Sequence, residues 1–151
     1  PERLTLDVGS DNGVAVDQTV VAAAGLVGRT IRVGDTTSDV LLLGAPDLVV
    51  AARGQNSGLL GTVAPPAAGE TSTRTQGQLT FTAIDFGDLV QGETLRTVGS
   101  PDNTPFVAGI PIGTVTTIDP ARGQVGTTAA VIPSIDRARL DVVAVIVPGA
   151  G

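Results

Sequence analysis

The sequence predicts an all-β fold of two small antiparallel barrels, and three observations lead to this prediction. Of the 151 residues, 42% are hydrophobic but only 2% are aromatic, so valine, leucine, isoleucine and alanine must form the core. The many β-branched residues favour strands, and twenty glycines and ten prolines divide the apolar residues into short runs. These runs are too closely spaced to leave room for the crossover helices that parallel strands need.

The strands are predicted where apolar and polar residues alternate, because this pattern places one face of a strand in a core. The run at 40–43 is continuously apolar, as expected of a strand that is buried on both faces. The one helical turn is predicted at 134–140, with Ser134 as its N-cap. The predicted strands lie at 4–8, 19–23, 26–33, 40–43, 48–53, 59–63, 78–84, 94–98, 112–118, 125–132 and 142–147.

A stretch at 64–77 is rich in proline and small polar residues and is predicted to be a linker, since it shows no apolar periodicity. It divides the chain into a first barrel at 1–67 and a second barrel at 68–151. The sequence leaves open whether the strand at 142–147 packs back on the first barrel.

Composition argues against several classes of function. The formal net charge of −6 disfavours binding to nucleic acid, whose phosphates attract basic residues, and an electrostatic anchor on anionic lipid. Cysteine, histidine, lysine and tyrosine are all missing, so disulfides, zinc fingers and Cys or His nucleophiles are excluded. No apolar run reaches the roughly 18 residues of a membrane span. We expect no cofactor and no metal.

Acidic residues at 35 and at 85–88 share features with enzyme sites. The tripeptide Asp85-Phe86-Gly87 matches a metal-binding motif of kinases, but no lysine is present to bind phosphates, so we interpret it as a strand end before a turn. A carboxylate-dependent hydrolase that pairs Asp35 with Asp85 or Asp88 is the alternative. Because no sequence context brings these carboxylates together, we expect no enzyme activity and no catalytic residue.

Phe106 is the candidate for binding a partner, because it is a lone aromatic residue in a proline-rich loop. It either caps the end of the second barrel or forms an exposed aromatic anchor. With Ile110 and Ile112 it makes up the predicted partner-binding residues. The glycines predicted to shape turns and close approaches are Gly13, Gly25, Gly28, Gly109 and Gly113.

Five stretches together resemble the extracytoplasmic β-domain of the rod shape-determining protein family MreC. The most specific are Gly-Leu-Val-Gly-Arg at 25–29 and Gly-Ile-Pro-Ile-Gly at 109–113. The order of the motifs follows that of the family and spans most of the chain. The five stretches lie at 9–14 with 20–21, 25–34, 37–43, 89–95 with 109–115, and 132–145.

The resemblance implies a scaffold without catalysis. Family members carry two β-barrels in an arrangement similar to that of chymotrypsin, but without its triad. The resemblance also implies a location outside the plasma membrane, with an N-terminal membrane helix and a coiled coil that precede this chain. The expected function is to hold together the cell-elongation machinery that synthesises peptidoglycan.

The expected partners are further copies of the protein, a class B penicillin-binding protein and an MreD-type membrane protein. The alternatives to this function are the carboxylate-dependent hydrolase and a generic extracellular β-module that binds other molecules. The β-module would bind a glycan, and this alternative is the weaker one. The tryptophan and tyrosine side chains on which sugars stack are missing from the chain.

Overall fold

The computed structural model describes residues 3–66, 77–99, 106–119, 127–136, 140 and 142–147. The described residues form eleven strands and one short 3₁₀ turn, which confirms the predicted all-β fold. Within these ranges no helix has the length and apolar character needed to cross a membrane. The predicted helical turn at 134–140 is not helical at 134–136, and residues 137–139 lie outside the described part of the chain.

The strands follow one another in the order that the apolar runs predict. The 3₁₀ turn (Ser10–Asn12) lies between the first two strands. In chain order the strands are β1 (Arg3–Leu6), β2 (Thr19–Ala22), β3 (Gly25–Val33), β4 (Ser38–Leu42), β5 (Val50–Gly54), β6 (Leu60–Ala64), β7 (Leu79–Ala83), β8 (Thr94–Thr97), β9 (Pro111–Ile118), β10 (Thr128–Pro133) and β11 (Ala144–Val145).

The strands form two antiparallel sheets. Six strands close into a barrel in the order β10-β7-β6-β5-β8-β9. The other five form an open sheet in the order β1-β4-β3-β2-β11, which we call the half-barrel. The predicted pair of barrels is therefore one closed barrel and one half-barrel.

The predicted division of the chain at 67/68 does not match the pairing of the strands. β5 and β6 precede the predicted linker, yet they pair with β8 and β7 of the closed barrel. The change from one sheet to the other lies between β4 and β5, and β11 returns to pair with β2 of the half-barrel. Sheet membership depends on pairing between distant residues, which a local change in composition does not report. Residues 67–76 of the linker lie outside the described ranges.

The central strands β3 and β4 are buried on both faces and separate two cores. Leu26, Leu41 and Leu43 point into the large core that the half-barrel shares with the closed barrel. Val27 and Leu42 point the other way, into the interior of the half-barrel. The continuously apolar run at 40–43 is thus explained, because alternate side chains enter different cores.

The half-barrel has a small interior core of its own. Its buried part consists of three valines and one leucine of β2, β3 and β4, together with Ile135 from the segment after β10. Leu4 and Leu6 of β1, and Val143 and Val145 at β11, pack against this core but remain partly exposed. The interior is therefore well enclosed at the central strands and incompletely covered at the two edges.

Glycine is required at particular points of this fold. Gly13 follows the 3₁₀ turn with a φ of 88°, a left-handed conformation that L side chains rarely adopt. A Cβ atom at Gly28 would overlap the carbonyl oxygen of Leu41 on β4, so the close pairing of β3 and β4 needs glycine. At Gly25 and Gly113 a Cβ atom would overlap a carbonyl oxygen of a neighbouring strand, and Gly109 lies in a turn with a φ of 86°.

Glu93 is a buried carboxylate that joins two connections of the closed barrel. Its side chain is 2% exposed, and its Oε1 accepts hydrogen bonds from the amides of Asn56 and Ser57, each at 3.0 Å. The Ser57 hydroxyl donates to the same oxygen, and the Val90 amide donates to Oε2 at 2.6 Å. Burial raises the pKa of Glu93, but these hydrogen bonds outweigh burial and hold the pKa below its ordinary value.

Replacement of Leu42 by alanine is expected to lower the free energy of unfolding by about 2–5 kcal/mol, because it leaves a cavity in the half-barrel interior. Leu42 is 3% exposed. The control is Val16→Ala, since Val16 is 50% exposed and contributes to neither core. Chemical denaturation measures both variants. Equal midpoints for Leu42→Ala and the wild type would show that this core contributes little.

Glu93→Gln is expected to destabilise the protein by roughly 2–3 kcal/mol at neutral pH, because its amide NH₂ would face backbone N–H donors. The folded-state pKa lies below the unfolded-state pKa, so the stabilisation by Glu93 is complete above the unfolded pKa and is lost as pH falls through the folded pKa. Thermal melts should therefore show a difference in melting temperature between wild type and variant that is larger at neutral pH than at acidic pH. Asp88→Asn, at an exposed carboxylate, is the control. A difference in melting temperature that does not depend on pH would contradict this role of Glu93.

Candidate functional site

The structure places the predicted partner-binding residues inside the protein. Phe106 is 6% exposed and Ile112 is 0% exposed, and both belong to the shared core. Ile110 is half-buried and packs against the same core. The anchor interpretation is therefore corrected for Phe106 and Ile112, because a partner could reach these side chains only if the core opened.

Phe106 lies instead where the two sheets meet. The amide of the next residue, Val107, donates a hydrogen bond of 3.0 Å to the hydroxyl of Thr19 on β2. Nearby, a Cβ atom at Gly25 of β3 would overlap the carbonyl oxygen of Pro111 on β9. In a chain with so few aromatic residues, the ring of Phe106 fills volume in the core that both sheets share.

The carboxylates of the alternative hydrolase do not form a cleft. Asp35 lies in the connection between β3 and β4, whereas Asp85 and Asp88 lie in the connection between β7 and β8 of the closed barrel. All three are exposed, so no low-dielectric environment is present to prepare a general acid. In the described ranges, no three acidic residues come together as a candidate metal site.

Three large apolar side chains are exposed in the connection between β7 and β8. Phe86 is 101% exposed, Ile84 is 64% exposed and Val90 is 45% exposed. Large apolar side chains that are concentrated in one exposed segment are typical of protein-binding surfaces. We call the three residues Ile84, Phe86 and Val90 the β7–β8 patch.

Hydrogen bonds hold the backbone of the β7–β8 patch on the barrel. The Ile84 amide donates to the carbonyl of Leu60 at 2.8 Å, and the Thr127 hydroxyl donates to the carbonyl of Gly87 at 3.1 Å. The Val90 amide is held by the carboxylate of Glu93. A partner would therefore meet side chains on a segment that is already positioned, which reduces the entropy lost on binding.

The sequence around Phe86 contains a signal of its exposure. Phe86 stands between Asp85 and a Gly-Asp turn, and a large aromatic side chain among turn residues has few ways to reach a core. The prolines around Phe106 predict a loop, but they do not predict whether its side chain is exposed.

Comparison with known proteins gives one family match, to "Rod shape-determining protein MreC, barrel core", over residues 1–147. No curated protein matches the chain at a significant level. The family match covers almost the whole chain, including both sheets.

Solved structures share the fold over nearly the whole chain. A structure named MreC is 25% identical, with a TM-score of 0.80 over 96% of this chain and 78% of that chain. MreC from Pseudomonas aeruginosa is also 25% identical, with a TM-score of 0.79 over 96% of this chain and 88% of its own. A complex between penicillin-binding protein PBP2 and MreC from Helicobacter pylori is similar in fold, at 14% identity and a TM-score of 0.62 over 86% and 75% of the two chains.

The family match decides between the interpretations of the sequence. Proteins of this family determine cell shape as structural components and are not enzymes, so the hydrolase interpretation is wrong. The two-sheet fold and the ordered turn motifs agree with the match. The chain therefore belongs to the family of the rod shape-determining protein MreC and contains its barrel core.

Proposed function

We propose that this chain is part of an extracytoplasmic scaffold for peptidoglycan synthesis, and that it acts by binding a class B penicillin-binding protein. The fold carries the proposal, since the similar H. pylori protein is in a complex with PBP2. A scaffold needs an accessible surface for a partner, and the β7–β8 patch supplies one.

The β7–β8 patch suits a protein partner for energetic reasons. An exposed phenylalanine gains free energy when a partner removes it from water, and aromatic residues often dominate the affinity of interfaces. Phe86 is fully exposed, so nearly all of its apolar area remains available for this contact. The backbone amides of Ile84 and Val90 donate hydrogen bonds that fix its segment, so binding does not have to order it.

Charge indicates what the partner should present. Asp85 and Asp88 are exposed beside Phe86, and the chain as a whole carries a net charge of −6. An apolar pocket rimmed by lysine or arginine would complement this surface. We therefore expect binding to weaken as ionic strength rises.

The remaining parts of the function come from the family resemblance. They are assembly with other copies of the protein, contact with an MreD-type membrane protein, and attachment to the plasma membrane by a helix upstream of Pro1. A coiled coil between two copies would raise the effective concentration of the barrels for a shared partner. Sedimentation of a longer protein that includes these upstream residues would test self-association.

Phe86→Ser is expected to weaken binding to the extracytoplasmic part of a class B penicillin-binding protein by roughly ten- to thirtyfold, because it removes the largest exposed apolar side chain. Surface plasmon resonance with the immobilised transpeptidase measures the affinity. Since Phe86 makes no contribution to either core, its thermal midpoint should stay that of the wild type.

Val16→Ser is the control, because Val16 is an exposed apolar residue outside the β7–β8 patch. It should bind as the wild type does. Equal affinities for Phe86→Ser and wild type would remove the β7–β8 patch from the proposal. Failure of the wild type to bind would contradict the proposed partner itself.

A further inference from the structure

The half-barrel is open between its two edge strands. A cavity of about 360 Å³ lies there, lined by Leu6–Val8 at the end of β1 and by Val142–Val145 at β11. Within the described ranges, β1 pairs only with β4, and β11 pairs only with β2. Alternate backbone N–H and C=O groups of both edges therefore point into the opening without a strand partner.

The directions of the strands explain why the sheet does not close on itself. Four successive antiparallel pairings lead from β1 through β4, β3 and β2 to β11. As a result β1 and β11 run in the same direction, so five strands cannot close an all-antiparallel barrel. One added strand that runs antiparallel to both edges would complete six strands, the number in the neighbouring closed barrel.

The side chains at the opening also indicate a missing strand. Leu6, Val143 and Val145 line the cavity and at the same time pack against the interior core, where they remain partly exposed. Asp7 and Val142 are exposed on the outer side, and Val142 is 81% exposed. An added strand would cover both sets if its inward side chains were apolar and its outward ones polar.

We propose that the half-barrel binds a single extended segment of a partner protein as its sixth strand, between β1 and β11. The occupant must have both of its edges free, because it meets an edge of this sheet on each side. That requirement excludes the edge strand of a folded sheet, including β1 of a second copy, whose other edge is occupied by β4. An unpaired, flexible segment meets it.

Charge defines one end of this segment. Asp7 is the charged residue among those that line the cavity. A segment antiparallel to β1 begins beside Leu6–Val8, so its first residue lies near Asp7. A lysine or arginine at this position, followed by apolar residues at every second position, completes the expected pattern. The site is separate from the β7–β8 patch, so its failure would leave the proposed function untouched.

The test uses a synthetic heptapeptide with capped ends, Lys-Val-Thr-Val-Thr-Val-Thr, added to the intact chain. Fluorescence anisotropy measures its affinity, and hydrogen–deuterium exchange measures protection of backbone amides. We expect saturable binding, with slower exchange at 4–8 and 142–145 and unchanged exchange in the closed barrel. The same peptide with alternate amides N-methylated should bind roughly tenfold more weakly or not at all. Alternate amides of a strand face the same side, so this peptide can pair with only one of the two edges.

Two variants at exposed positions test the edges of the opening directly. Val142→Lys should weaken binding roughly tenfold, since lysine on an edge strand opposes pairing. Asp7→Lys should reverse the preference, favouring a peptide that begins with glutamate.

Three results would overturn the proposal. One is the absence of binding at millimolar peptide. Another is equal affinity for the plain and N-methylated peptides. The third is protection of the same edges by raising the concentration of the protein alone, which would assign the opening to a second copy.

Discussion

Both cores of this protein are built on β3 and β4, which are buried on both faces. One face closes the core shared with the closed barrel, through Leu26, Leu41 and Leu43, and the other forms the interior of the half-barrel. Because the chain has few aromatic residues, both cores are formed mainly by aliphatic side chains. Sharing the central strands lets small aliphatic side chains enclose two cores with one pair of strands.

This arrangement distributes stability unevenly. The shared core contains most of the fully buried side chains, whereas the interior of the half-barrel has few and is incompletely covered at β1 and β11. Edge strands with few buried contacts are the parts of a protein that open most easily. A scaffold gains from this division, because the closed barrel maintains the fold while the open sheet keeps hydrogen-bonding groups accessible to a partner.

Polar interactions do local work that the apolar cores cannot do. The carboxylate of Glu93 collects amide donors from two connections of the closed barrel, and so holds the end of the segment that exposes Phe86. The hydroxyl of Thr19 links the segment at Val107 to the half-barrel. Both groups are buried or nearly so, and in such surroundings each satisfied hydrogen bond also avoids the cost of an unpaired donor. Side-chain oxygens therefore position both the segment that exposes Phe86 and the segment at Val107.

Local alternation and turn residues in the sequence are enough to predict the fold class, most strand positions, the two-sided burial at 40–43 and the family. The three-dimensional arrangement was needed to show which sheet receives β5, β6 and β11, since pairing joins residues that are distant in the chain. It also decided the exposure of the phenylalanines. Phe106 and Phe86 both stand among turn formers, yet one fills the shared core and the other lies fully in solvent. Burial of a loop side chain depends on which other strands pack near it. The local sequence does not contain this information.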